Sequence, residues 1–143
     1  MKNTQEIVKE NLIEKISKLK DIPTLVMIQL MNDRTYDEYH RKLKEDCDNM
    51  GIDLVYFNFE RFTQNEICNM IVAFNNDEIV DGIIIQSGAP YGYVYVNCIS
   101  SEKDVSILKD DSVFDKIEYF DEEMQRFSIL ENVVEAYRRL NNE

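Results

Sequence analysis

Gln86 closes an apolar run, Ile79-Val80-Asp81-Gly82-Ile83-Ile84-Ile85, that reads as a buried strand. The carboxyl end of such a strand is where open α/β sheets bind ligands. An amide there can donate and accept hydrogen bonds, so it could orient a polar small molecule or satisfy a neighbouring loop backbone. Other reactive residue types are sparse. His40 is the single histidine, and Cys47, Cys68 and Cys98 are widely spaced with no C-x-x-C pattern. That combination argues against a zinc site and against a disulfide framework. The expectation is three reduced thiols on apolar faces, at least two of them buried. No G-x-G-x-x-G occurs, so the glycine-rich turn that cradles a dinucleotide pyrophosphate is missing and NAD(P) is not an expected cofactor.

The chain has 143 residues, the size of one domain, and a formal net charge of −12. A field of that sign repels phosphate backbones and anionic lipid, which speaks against nucleic acid and membrane surfaces as partners. No apolar run approaches the roughly 18 residues of a membrane span. The first residues, MKNTQEIVKENLIEK, contain no apolar core of a secretory signal. These features predict a soluble cytoplasmic protein.

The elements that must position Gln86 are marked by periodicity. Val8, Leu12, Ile16 and Leu19 recur at helical spacing over 5–20. Thr24 to Leu30 is apolar on both faces, as a buried parallel strand should be. Tyr36, Tyr39, Leu43, Cys47 and Met50 mark a helix over 34–50, stopped by Gly51. Leu54 to Phe59 is a second strand, and Thr63 with Glu66 forms a capping box for a third helix. Residues 79–86 make the third strand. The segment 91–99 alternates Tyr91, Tyr93 and Tyr95 with Gly92, Val94 and Val96, a strand-like period of two. Phe127, Leu130, Val134, Tyr137 and Leu140 stripe a last helix over 121–141. The order predicts an α/β fold, a three-layer sandwich with a mainly parallel sheet, and one domain over 1–143.

Three stretches, in order, resemble the N-terminal catalytic domain of the bifunctional methylenetetrahydrofolate dehydrogenase/methenyltetrahydrofolate cyclohydrolase family. PTLVMIQLMNDRTYDEYHRKLKEDCDNMGI is similar to that family's first strand, its S-x-x-Y-V-x-x-K helix and the K-x-C-x-x-x-G-I that ends it. IVDGIIIQSGAP resembles V-D-G-I-L-V-Q-L-P-L-P, and SEKDVSILKDD resembles the P-x-K-D-V-D-G-F turn. The resemblance covers nearly the whole chain and stops where the family's second, Rossmann domain would begin. The family has a helix where 91–99 reads as strand.

The resemblance implies roles for particular residues. Tyr39 matches the tyrosine that packs on bound folate, Gln86 the glutamine near the reacting carbon, and Pro90 the last proline of the L-P-L-P loop. Leu43 falls at the catalytic lysine, Tyr36 at the serine of the motif, and Ser106 at the pterin-binding aspartate, although Asp104 and Val105 are kept. Leucine transfers no proton, and a hydroxyl pairs with an aminopterin edge less directionally than a carboxylate. Lys42 and Lys44 flank Leu43 but each points about 100° away around the helix; Lys44 is the fallback base. His40 replaces an apolar residue and is expected in solvent. The family's P-C-T-P-x-G loop falls near Phe127-Ser128-Ile129-Leu130-Glu131-Asn132.

These changes imply a truncated, degenerate relative, a pseudoenzyme that binds a folate-like small molecule or a protein partner in one-carbon metabolism. One alternative is a stand-alone methenyltetrahydrofolate cyclohydrolase, since hydrolysis needs no nucleotide. Another is a subunit that supplies this domain to a separate NAD(P)-binding chain.

Overall fold

The computed structural model describes residues 2–86, 95–106 and 121–143. Its elements run α1 (Thr4–Ser17), β1 (Thr24–Gln29), α2 (Arg34–Met50), β2 (Asp53–Asn58), α3 (Gln64–Asn75), β3 (Gly82–Gln86) and α4 (Glu122–Asn141). The three described strands pair in parallel in the order β2-β1-β3. The fold is α/β, as the alternation of elements implied.

Local chemistry sets most of the boundaries. Asp33 caps α2 by accepting the Thr35 N–H, and Gly51 ends it in the left-handed conformation at φ 94°. Thr63 and Glu66 form the full capping box of α3. Asp121 caps α4, with Glu122 and Glu123 in its first turn and Arg138 and Arg139 in its last, matching the helix dipole at both ends. β3 starts later than the apolar run suggests, because Asp77 turns the chain back. Its carboxylate accepts the Ile79 N–H and its carbonyl the Val80 N–H, leaving Ile79 72% exposed.

All six residues of β1 are buried, and alternate side chains enter two cores. Leu25 and Met27 pack with α1, α2 and α4, through Leu12, Leu43, Cys47, Phe127 and Leu130. Val26 and Ile28 pack with α3 and the turn at 95–99, through Ile67, Ile71, Tyr95 and Ile99. Helices therefore cover both faces, the three layers expected. Full burial of each such side chain stabilises by roughly 1.5–3 kcal/mol. The connection β1–α2–β2 moves one way along the sheet and β2–α3–β3 moves back past β1. The order thus reverses between β1 and β3, and their carboxyl ends flank the switch point where α/β folds hold ligands.

One expectation needs correction. The described end of 91–99 is helical at Tyr95 and Val96, with Cys98 N–H on Tyr95 O and Ile99 N–H on Val96 O; residues 91–94 lie outside the described region. Phe127 to Asn132, where the family's loop would fall, form the interior of α4, within the helix expected over 121–141, and nearly all are buried. With no proline or glycine there, nothing breaks the helical stripe that continues to Tyr137.

Candidate functional site

Register puts Gln29 and Gln86 side by side at the carboxyl ends of β1 and β3. Their amides meet different fates. Gln29 is fully buried and saturated: Nε2 donates to Met31 O (2.8 Å) and Asp37 Oδ1 (2.9 Å), while Oε1 accepts the Tyr56 hydroxyl at 3.0 Å. Gln86 keeps Oε1 buried with no hydrogen-bond partner among the described residues. A buried acceptor left without a donor costs roughly 1–3 kcal/mol.

Gln86 looks into a cleft of about 280 Å³ along β3. Tyr39 of α2 and Gln125 and Ile129 of α4 stand on one side, and Val96, Ile99, Asp104 and Ser106 on the other. Ser106 is held from two directions. Its N–H donates to Asp104 Oδ1 at 3.0 Å, and its carbonyl accepts Asn132 Nδ2 at 2.9 Å. Asn132 also reaches Val105 O at 3.2 Å, so α4 pins the strip that carries Ser106. Ile83 N–H to Lys103 O at 2.8 Å joins that strip to β3 from the other side.

Three of the residues singled out in the sequence, Tyr39, Gln86 and Ser106, thus share one cleft; Pro90 lies outside the described residues. Tyr39 is largely shielded, and burial pushes its hydroxyl up to about 12, which keeps it protonated near neutral pH. Leu43 does not reach the cleft. It is fully buried in the core beneath α1 and α4. Lys44 is also absent from the cleft. It is exposed, paired with Asp48 at 2.8 Å, and that hydrogen bond raises its pKa, the opposite of what a general base requires. Lys42 bridges to Glu122 at 3.4 Å beside a neighbouring surface groove that Tyr39 also borders. Tyr36 is half-buried outside the cleft. His40 is not solvated as expected: its ring stacks on Tyr56 at 3.7 Å and 13°. Of the cysteines only Cys47 is fully buried, against the expected two, and all three are thiols.

Gln125, Ile129 and Asn132 shape the site without having been anticipated. Their signal was a polar pair within an otherwise apolar helical stripe, Asn132 being 7% exposed in the middle of it. A wider groove of about 460 Å³, between Leu30, Asn32, Phe59 and Phe62 on the α3 side, contains none of the expected site residues. Among the described residues no cluster of His, Cys, Asp or Glu could hold a metal ion. Nor is any described helix long and apolar enough to cross a membrane.

A parallel α/β domain with a ligand-sized cleft at its switch point defines the class. Residues 1–106 match the family described as tetrahydrofolate dehydrogenase/cyclohydrolase, catalytic domain, and the chain belongs to that family. Its relatives include the bifunctional protein FolD of Malacoplasma penetrans, 31% identical over 100 residues, covering 67% of this chain and 35% of the relative. The FolD of Agathobacter rectalis is 32% identical over 113 residues, covering 74% and 40%. Among solved structures, the bifunctional methylenetetrahydrofolate dehydrogenase/cyclohydrolase of Thermoplasma acidophilum superposes with a TM-score of 0.67 at 25% identity, covering 74% of this chain and 40% of that one. The FolD of Campylobacter jejuni gives 0.66 at 28%, covering 72% and 39%. The chain therefore spans about two fifths or less of each of these proteins.

Proposed function

We propose that the cleft binds a folate-like small molecule without turning it over. The cleft that Tyr39, Gln86 and Ser106 line together carries this reading, and Gln86 Oε1 has no hydrogen-bond partner among the described residues. A folate offers ring N–H donors, an aromatic surface for Tyr39, and apolar area for Val96, Ile99 and Ile129. The non-catalytic half is supported by the state of the residues at the positions singled out for proton transfer. Tyr39 is held neutral, Leu43 has no titratable group, and Lys44 faces solvent. Asp104 commits one oxygen to the Ser106 N–H. On this reading general acid–base assistance, typically worth about 10²–10⁴-fold, is missing.

Calorimetric titration with a reduced folate tests the binding half. Saturable one-to-one heat is expected, weakened about tenfold or more by Gln86→Leu, because one hydrogen bond in a shielded cleft is worth on the order of 1.4 kcal/mol or more. An unchanged affinity in Gln86→Leu would place the ligand elsewhere, and no heat at all would refute the reading.

A further inference from the structure

Cys68 on α3 and Cys98 in the turn at 95–99 are separated by about 30 residues of chain, yet their sulfur atoms lie 3.5 Å apart. The Cys98 thiol points at Cys68 Sγ. A disulfide needs about 2.05 Å between sulfurs, so an approach of about 1.5 Å would close the bond. The backbone around Cys98 is already tied to α3. Asn75 Nδ2 donates to Cys98 O at 2.7 Å, and Asn75 Oδ1 accepts the Ser100 N–H at 2.9 Å. Both sulfurs belong to half-buried residues, whereas Cys47 is fully buried among the residues packed on the other face of the sheet. Val96 and Ile99, on either side of Cys98, line the cleft.

We propose that Cys68 and Cys98 form a reversible dithiol–disulfide site whose co-substrate is a low-molecular-weight disulfide of the glutathione type. The Cys68 thiolate attacks one sulfur of the small disulfide and expels one small thiolate, leaving a mixed disulfide on Cys68. Cys98 then gives its proton to solvent and attacks the Cys68 sulfur, expelling the second small thiolate. Two protein thiols lose two electrons and two protons, and one small disulfide becomes two thiols. Burial, together with the hydrogen bond it gives Cys68, holds the Cys98 thiol above the ordinary cysteine range, which suits it to the second, resolving step. Closure would staple the cleft wall at 96–99 to α3.

The test stands apart from the folate reading. Reduced protein is incubated with oxidised glutathione, then analysed by intact mass, peptide mapping and thermal unfolding. The expected outcome is a loss of two hydrogens, a Cys68–Cys98 linked peptide with Cys47 unmodified, and a midpoint raised by roughly 10 °C until dithiothreitol is added. Cys98→Ser should stop at one glutathione on Cys68. Persistent glutathione adducts on the unmodified sequence, a link through Cys47, or an unchanged mass would each overturn the proposal. The mass and map of the unmodified sequence decide it even if Cys98→Ser fails to fold.

Discussion

Leu43 and Gln86 show opposite economies of burial. Leu43 fills the core at no polar cost, while Gln86 keeps a shielded oxygen unpaired among the described residues. Leu43→Lys should therefore lower stability by about 3–5 kcal/mol, as an ammonium would enter apolar surroundings with no carboxylate to meet it. Denaturant unfolding reads this directly, and a variant as stable as its parent would show that the 43 side chain can reach solvent or the cleft. His40 provides a pH probe because no other histidine exists in the sequence. Burial against Tyr56 lowers its pKa from 6.5, outweighing the facing Asp37 carboxylate, which raises it, while Lys44 adds to the lowering. A folded state that resists the proton is fully stable above the unfolded pKa. Its stability falls as pH drops from about 6.5 towards the lower folded value, where the unfolded chain alone takes up the proton. Unfolding measured between about pH 7.5 and 5 should show this decline, and His40→Phe should remove that component. An NMR titration of His40 above 6.5 would contradict the assignment.

At the scale of elements, α4 shapes much of the cleft. It supplies Gln125 and Ile129 to the cleft and holds the 105–106 carbonyls through Asn132. Arg126, 8% exposed, ties α4 to α2 through Asp46 at 2.6 Å. Gly82 is where β3, the 103–106 strip and α4 converge. A Cβ there would stand 2.8 Å from Val105 Cγ1 and 3.3 Å from Val133 Cγ2. Gly82→Ala should cost about 1–3 kcal/mol, because Val105 is fully buried and its backbone is fixed on both sides. Equilibrium unfolding in urea checks it, and a neutral result would mean that the strip yields. The strands and the ends of α2 and α3 were legible because runs, caps and Gly51 act locally. The cleft was half legible. Tyr39, Gln86 and Ser106 followed from motif order, but Asn132, Gln125 and the saturation of Gln29 depend on contacts between distant segments that no spacing encodes. The stripe of α4 was legible as well, although the family match stops before it, at residue 106. His40 was placed in solvent because its stacking partner, Tyr56, lies on another element.

For the whole molecule, a family fold carries the cleft proposed to bind without catalysis. Residues 1–106 match the family, and the fold is similar to that of the bifunctional FolD of Campylobacter jejuni. On the proposed reading the positions that decide the chemistry are Leu43 in the core, Ser106 on its pinned strip, and Lys44 paired with Asp48 at the surface. An enzyme that keeps a strained polar site gives up stability for activity, and a site released from catalysis can recover it through apolar substitution. The most direct measurement is the rate at which methenyltetrahydrofolate disappears, followed by absorbance, with protein in excess over the compound. The account predicts a bound fraction whose loss keeps the uncatalysed rate, in the unmodified chain and in Lys44→Ala alike. Loss accelerated well beyond that rate would contradict it, and acceleration that vanishes in Lys44→Ala would make Lys44 the base.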